Sequence, residues 1–249
     1  MRRRLVLGNW KMNGSRASVQ TWCAALGTAA AGGGPAVGVL PPFPYLHLLA
    51  ETLADTDWRV GAQDISIHAA GAYTGEVAGA MLVDVGCRWV LVGHSERRTL
   101  HAEGDALVAT KFGAALKAGL TPVLCVGETL AEREAEVTEE VIARQLGAVL
   151  EAHGAAGFAR AVVAYEPVWA VGTGRTASPA QAQAVHGFIR ARVAAVDGAV
   201  AAALPILYGG SVRAANAPEL FAMPDIDGGL VGGASLDAAE FVEIVRAAG

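Results

Sequence analysis

Short apolar runs recur along the chain, and each of them ends in polar residues or glycine. None of the runs alternates apolar with polar positions. A strand that is apolar without alternation is buried on both faces, as the strands of parallel sheets are. The pattern therefore predicts eight buried parallel strands, over residues 5–7, 37–40, 60–62, 89–92, 123–126, 161–165, 206–208 and 229–231.

Helical patterns fill the segments between these runs. The clearest spans residues 131–153, where an apolar stripe recurs at helical spacing and charged residues occupy the remaining surface. Ser178 is followed by proline and, three positions on, by glutamine, which is the signature of a capped helix start. Gly119 ends another predicted helix, which Gly104 or Asp105 begins. The chain thus alternates strands with helices.

Eight strand–helix units in 249 residues give about 31 residues per unit, close to the length of one βαβ unit. No linker or shift of composition divides the sequence, so residues 1–249 are predicted to form a single domain. Eight parallel strands with right-handed connections allow an open doubly wound sheet or a closed (β/α)8 barrel. The strand count and the chain length favour the barrel, and closure also removes exposed edge strands.

The amino-acid composition agrees with a chain of buried strands and excludes several classes of protein. Hydrophobic residues make up 53% and charged residues 17%, against about 25% charged in an average soluble domain. The net charge of −5 argues against nucleic acid as a partner. No apolar stretch approaches about 18 residues, so no membrane span is predicted. Three widely spaced cysteines and an apolar start too short for a signal peptide predict a cytoplasmic protein.

Polar residues follow several of the predicted strands. In a barrel, residues just beyond the carboxyl ends of the strands meet at one mouth. His94 follows the fourth strand and Glu166 the sixth, and these two types can serve as proton donor and base. Asn9 and Lys11 follow the first strand. Taken singly, the histidine and glutamate could be structural and the lysine merely exposed.

Glycine-rich turns follow the last two strands. They are Gly209-Gly210-Ser211 and Gly232-Gly233. Barrels often bind phosphate at this place, through backbone N–H groups that glycines leave accessible. Tight turns with no ligand are the alternative.

A third glycine-rich segment follows Glu166. Residues 172–177 formally fit a dinucleotide-binding pattern, but that pattern should begin directly after its strand, and here six residues intervene. Residues 167–177, apolar in the middle and rigid at Pro167, are better interpreted as a lid. No histidine or cysteine spacing indicates a metal site.

Five motifs resemble those of the triosephosphate isomerase family, in the family's order and across the whole chain. They are GNWKMN at 8–13, VGHSERR at 92–98, AYEPVWAVGTG at 164–174, YGGSV at 208–212 and VGGASL at 231–236. The resemblance implies a closed barrel that interconverts dihydroxyacetone phosphate and D-glyceraldehyde 3-phosphate in glycolysis and gluconeogenesis, with no cofactor and no metal.

The resemblance also implies a role for each matching residue. Glu166 would be the base, and His94, as a neutral imidazole, would polarise the carbonyl. Lys11 and Asn9 would stabilise the enediolate oxygen, with Glu96 as a supporting carboxylate. The phosphate would lie on backbone N–H groups of Gly172, Ser211, Gly232 and Gly233.

A homodimer is implied as well, through the loop around Gln63–Glu76. Two positions depart from the family: Asp64 stands where asparagine is common, and Arg175 where lysine is common. The aspartate at position 64 would change the hydrogen bonds that this loop makes at the dimer interface. There are two alternative functions: a sugar-phosphate epimerase or lyase on the same scaffold, and a non-catalytic scaffold that binds phosphometabolites.

Overall fold

The computed structural model describes residues 2, 4–26, 34–170 and 176–249. All eight predicted strands are present, each within two residues of its predicted bounds. They are β1 Leu5–Asn9, β2 Ala36–Leu40, β3 Arg59–Ala62, β4 Cys87–Val92, β5 Thr121–Val126, β6 Val162–Tyr165, β7 Ile206–Tyr208 and β8 Gly228–Val231.

The strands form a closed parallel barrel in sequence order. Each strand pairs with the next, and β8 pairs with β1, so that Leu5 lies opposite Gly228 and Gly8 opposite Val231. This closing pair excludes the open sheet and confirms the predicted (β/α)8 barrel. Because all strands are parallel, their carboxyl ends meet at one rim.

Helices surround the barrel. They are α1 Arg16–Leu26, α2 Leu46–Thr52, α3 Gly79–Asp84, α4 Ser95–Leu100, α5 Asp105–Ala118, α6 Leu130–Glu134, α7 Thr138–Phe158, α8 Pro179–Ala194, α9 Gly198–Ala203, α10 Ala217–Phe221 and α11 Ala238–Ala247. None of the helices in the described part of the chain has the length and apolar character to cross a bilayer.

The apolar strands serve two separate cores. One face of each strand packs beneath the helices, and the other fills the barrel interior, where Leu7, Leu40, Trp89 and Leu91 are buried together. Glycine makes room for the large indole inside the barrel: a Cβ at Gly38 would lie 2.7 Å from the Trp89 ring. Burial on both faces explains why the strands show no alternation.

The start of the helix predicted over 131–153 is wrong, whereas its predicted end is confirmed, because Gly154 interrupts α7 with a non-helical backbone (φ 61°, ψ −178°). Thr129 and Glu132 form a capping box that begins α6, and Glu136 then takes a left-handed backbone conformation (φ 60°) that separates α6 from α7. Apolar periodicity continues through this break, which is why the pattern concealed it. The predicted start at Ser178 and the predicted end at Gly119 (φ 86°) are both confirmed.

Candidate active site

A cavity of about 340 Å³ opens at the rim where the strands' carboxyl ends meet. It brings together predicted site residues from five strands, which are far apart in the sequence. The predicted residues that line it are Asn9, Lys11, His94, Glu166, Gly209, Gly210, Ser211, Gly232 and Gly233.

The side chains of Glu166 and His94 are in direct contact. Nε2 of His94 lies 2.8 Å from Oε1 of Glu166, and the two side chains are 5% and 3% exposed respectively. The backbone N–H of Ser95 donates to Oε2 of Glu166 at 3.0 Å. The strand ends therefore place a carboxylate and an imidazole against each other in an almost fully buried site.

Glu166 is ionised in this arrangement. Burial raises its pKa, but His94, the Ser95 N–H and Lys11 together lower it more, and the net direction is downward. Hydrogen bonds and a nearby positive charge favour the carboxylate over the acid. The group is thus present as a carboxylate.

His94 caps the start of α4, which orients its ring. Its Nδ1 accepts the backbone N–H of Glu96 at 3.3 Å, so Nε2 carries the ring hydrogen and donates it to Glu166. Burial lowers the pKa of His94, but the adjacent Glu166 carboxylate raises it, and the net direction is upward. The upward shift of the His94 pKa therefore depends on the present contact with Glu166. The backbone N–H of Glu96, at the start of α4, disfavours a proton on Nδ1 whether or not Glu166 is in contact.

Lys11 is fixed at the rim. Its Nζ lies 2.5 Å from Oε1 of Glu96, and its backbone N–H donates to Oδ1 of Asn9 at 3.0 Å. Gln63, which directly follows β3, donates its amide to the carbonyl oxygen of Lys11 at 2.9 Å. Sequence reasoning placed Gln63 only in the dimer loop, although its position after a strand could have indicated the rim.

The first glycine turn leaves no room for side chains beside Glu166 and Tyr208. A Cβ at Gly209 would lie 2.9 Å from Cγ of Glu166, and one at Gly210 would lie 2.3 Å from the hydroxyl oxygen of Tyr208. Both the hydroxyl and the backbone N–H of Ser235 donate to the carbonyl oxygen of Gly232, which fixes the second turn. Side chains are excluded at Gly209 and Gly210, so the backbone faces the cavity.

Both flanks of the predicted lid are anchored. Glu128 has no exposed surface, and its Oε1 accepts hydrogen bonds from Tyr165 (3.1 Å), Trp169 (2.9 Å) and Arg133 (3.0 Å). Sequence reasoning missed Glu128, although it follows β5 by two positions. Residues 171–175, and with them Gly172 and Arg175, lie outside the described residues.

Asp64, the departure from the family pattern, belongs to an ionic cluster. Its carboxylate contacts Nζ of Lys111 at 2.6 Å and Nη2 of Arg97 at 2.9 Å. Glu103 also contacts both cations, at 2.7 Å each. Asp64 therefore has partners within this chain. Within the described ranges, no three histidine, cysteine or carboxylate side chains are grouped as metal ligands.

Comparison with known proteins agrees with this geometry. The model of the triosephosphate isomerase family matches residues 4–248. Proteins named triosephosphate isomerase from Thiobacillus denitrificans and Stenotrophomonas maltophilia are 63% and 62% identical, and one from Xanthomonas campestris is 58% identical. Each alignment covers 100% of this chain and 99% of the relative. The chain therefore belongs to the triosephosphate isomerase family.

Proposed function

We propose that this chain interconverts dihydroxyacetone phosphate and D-glyceraldehyde 3-phosphate without a cofactor, in glycolysis and gluconeogenesis. The observation that carries the proposal is the contact between Glu166 and His94 at the rim, in a cavity that two glycine turns also line. The names of the relatives specify the same reaction.

Proton transfer through an enediolate accounts for the residues present. Glu166 removes a proton from one carbon of the triose and returns it to the neighbouring carbon. His94 donates from Nε2 to the carbonyl oxygen, and the same ring passes the proton between the two oxygens. Lys11 and Asn9 stabilise the negative oxygen of the intermediate. For this, the Glu166 carboxylate must exchange its present bonds to Ser95 and His94 for contact with the substrate carbon.

The phosphate is assigned to the glycine turns. Ser211, Gly232 and Gly233 line the cavity together with Lys11. Their backbone N–H groups would bind the phosphate, and Lys11 would supply a positive charge to the same space. We assign Gly172 to the same anion on the basis of the family motif alone. Closure of residues 167–177 over the site would exclude water and protect the intermediate from losing its phosphate.

We further propose a cytoplasmic homodimer, with no nucleic acid or membrane partner. The loop 63–76 and its surroundings expose large apolar side chains, including Met12 (95% exposed), Leu100 (75%) and Tyr73 (43%). Met12 and Leu100 line one groove together with Gln63 of the loop, and exposed apolar side chains that lie together are typical of an interaction surface. The three free cysteines fit a reducing compartment.

One substitution tests the dimer. Leu100→Glu places a charge on the groove and should halve the mass measured by light scattering, while Val196→Glu, at a position 58% exposed beyond α8, should leave it unchanged. A wild-type protein with the mass of one chain would refute the homodimer.

Turnover of D-glyceraldehyde 3-phosphate by protein freed of metal tests the activity. We expect full turnover in the presence of a chelator, since proton transfer by Glu166 and His94 needs no metal. Activity that returns only with added metal would favour an epimerase or lyase. Phosphate binding without any turnover would favour a binding scaffold.

A further inference from the structure

His186 is a buried histidine that the proposed reaction does not use. It lies on α8, it is 0% exposed, and its ring contacts two aromatic rings from the barrel wall. The ring centroid of Tyr165 is 5.9 Å away with the planes at 85°, and that of Tyr208 is 6.4 Å away with the planes at 37°. One side chain of the helix layer therefore packs against the last residues of β6 and β7.

The two tyrosines occupy equivalent positions on neighbouring strands. Tyr165 and Tyr208 are register partners, and both belong to the core beneath the helices. The residue that directly follows each strand lines the cavity, because successive residues of an extended chain point to opposite faces. Those residues are Glu166, the proposed base, and Gly209, which begins the first phosphate turn.

The hydroxyl groups of the same tyrosines contact the flanks of the predicted lid. Tyr165 donates to Glu128, which also holds Trp169, and the backbone N–H of Ala177 donates to the hydroxyl of Tyr208 at 3.3 Å. The Tyr208 hydroxyl also occupies the space beside Gly210, where a Cβ would lie 2.3 Å from its oxygen. A shift of either ring would thus displace the base or the phosphate turn.

We propose that His186 is a positioning residue, whose ring holds Tyr165 and Tyr208 in register and so fixes Glu166 relative to the phosphate turn. This rests on the proposed function.

The positioning role of His186 depends on the packing of its ring and not on its hydrogen bond. Nδ1 contacts the carbonyl oxygen of Asp225 at 3.1 Å, but Arg190 also donates to that oxygen, at 3.3 Å. Nε2 has no hydrogen-bond partner in the part of the chain that the structure describes. Burial lowers the pKa of His186 to about 4, so the ring packs as an uncharged aromatic group at neutral pH.

Two substitutions separate ring packing from hydrogen bonding. His186→Phe keeps an aromatic ring and loses the bond to Asp225, whereas His186→Asn keeps an amide donor in the place of Nδ1 and loses the ring. The matched control is His153→Asn. His153 of α7 packs against Phe112 and bonds to the carbonyl of Ala109, away from the cavity.

Steady-state kinetics and competitive inhibition by inorganic phosphate are the measurements. Wild-type turnover tests the proposed function first, and the variants then test the inference. We expect His186→Asn to lower kcat about 10-fold and to raise the inhibition constant of phosphate several-fold, because small misplacements of reacting groups are costly. His186→Phe and His153→Asn should stay near wild type.

The inhibition constant does not depend on the fraction of folded enzyme, so a loss of stability alone leaves it unchanged. An unchanged inhibition constant in His186→Asn would overturn the inference. So would an equal loss in His186→Phe, since the bond to Asp225 would then be the required contact.

Discussion

The ammonium group of Lys11 lies 2.5 Å from the carboxylate of Glu96, so that a residue two positions beyond β1 is bound to the first turn of α4. Lys11 also adopts a left-handed backbone conformation, with φ 52°. Such a conformation is uncommon for a residue other than glycine and is retained where the surrounding structure requires it. The lysine is therefore held in place by both its backbone and its charge.

Lys11→Met should lower kcat/KM by about 10²-fold or more, because a cation aimed at the developing negative charge is lost. The fold should persist, since the Lys11 side chain is 27% exposed and Glu96 is 44% exposed. Circular dichroism and steady-state kinetics are the measurements. A variant with the wild-type kcat/KM would exclude Lys11 from the site.

Glu166→Asp should separate the position of the base from its charge. The shorter side chain keeps a carboxylate but withdraws it by about 1 Å, and we expect kcat to fall about 10²-fold with little change in phosphate inhibition. Glu166→Ala should lower kcat further and also leave phosphate inhibition nearly intact. If the aspartate variant retained wild-type kcat, Glu166 would not be the base.

The sequence predicted the barrel and most of the cavity for a simple physical reason. Strands buried on both faces are visible as continuous apolar runs, and polar residues that directly follow them must meet at one rim. Glu166, His94 and Lys11 were predicted in this way. The break between α6 and α7 was not predicted, because Val137 continues the apolar stripe. Only the left-handed backbone at Glu136 reveals the interruption.

Contacts between residues of distant elements could not be predicted from the sequence either. The acceptor role of Glu128 depends on Tyr165, Trp169 and Arg133 meeting at one carboxylate, and no local pattern encodes that meeting. Similarly, nothing in the sequence marks His186, since no histidine spacing there indicates a metal site. Its two tyrosine neighbours become visible only when β6, β7 and α8 are packed together.

The ionic cluster around Asp64 should respond very differently to two substitutions. Burial raises the pKa of Asp64, more than Lys111 and Arg97 lower it, so its charge is less favourable in the folded chain than in the unfolded one. Asp64→Asn should therefore leave the free energy of unfolding unchanged or raise it. Glu103 remains as the partner of both cations.

Lys111→Met should instead destabilise by about 3–5 kcal/mol, because Asp64 and Glu103 would face each other in a buried cluster that retains only one of its two cations. Lys117→Met, an exposed position of the same helix, is the control and should change stability by no more than about 0.5 kcal/mol. Urea unfolding at a fixed protein concentration is the measurement. Similar losses in both lysine variants would contradict the cluster's role.

Acid should destabilise the protein through His186. Its pKa is lowered from 6.5 to about 4 in the folded chain, chiefly by burial. Between these two values the unfolded chain binds a proton that the folded chain does not, so stability falls as pH falls. A shift of this size corresponds to a loss of about 3 kcal/mol between pH 6.5 and pH 4.

His186→Phe should remove this contribution, because phenylalanine does not titrate. Urea unfolding of both proteins across this pH range, at one protein concentration, measures the slope of stability against pH. Carboxylates and the other histidines are common to the two proteins, so the difference between the slopes isolates His186. We expect the shallower slope in the variant, and equal slopes would mean that His186 is protonated as readily in the folded chain as in the unfolded one.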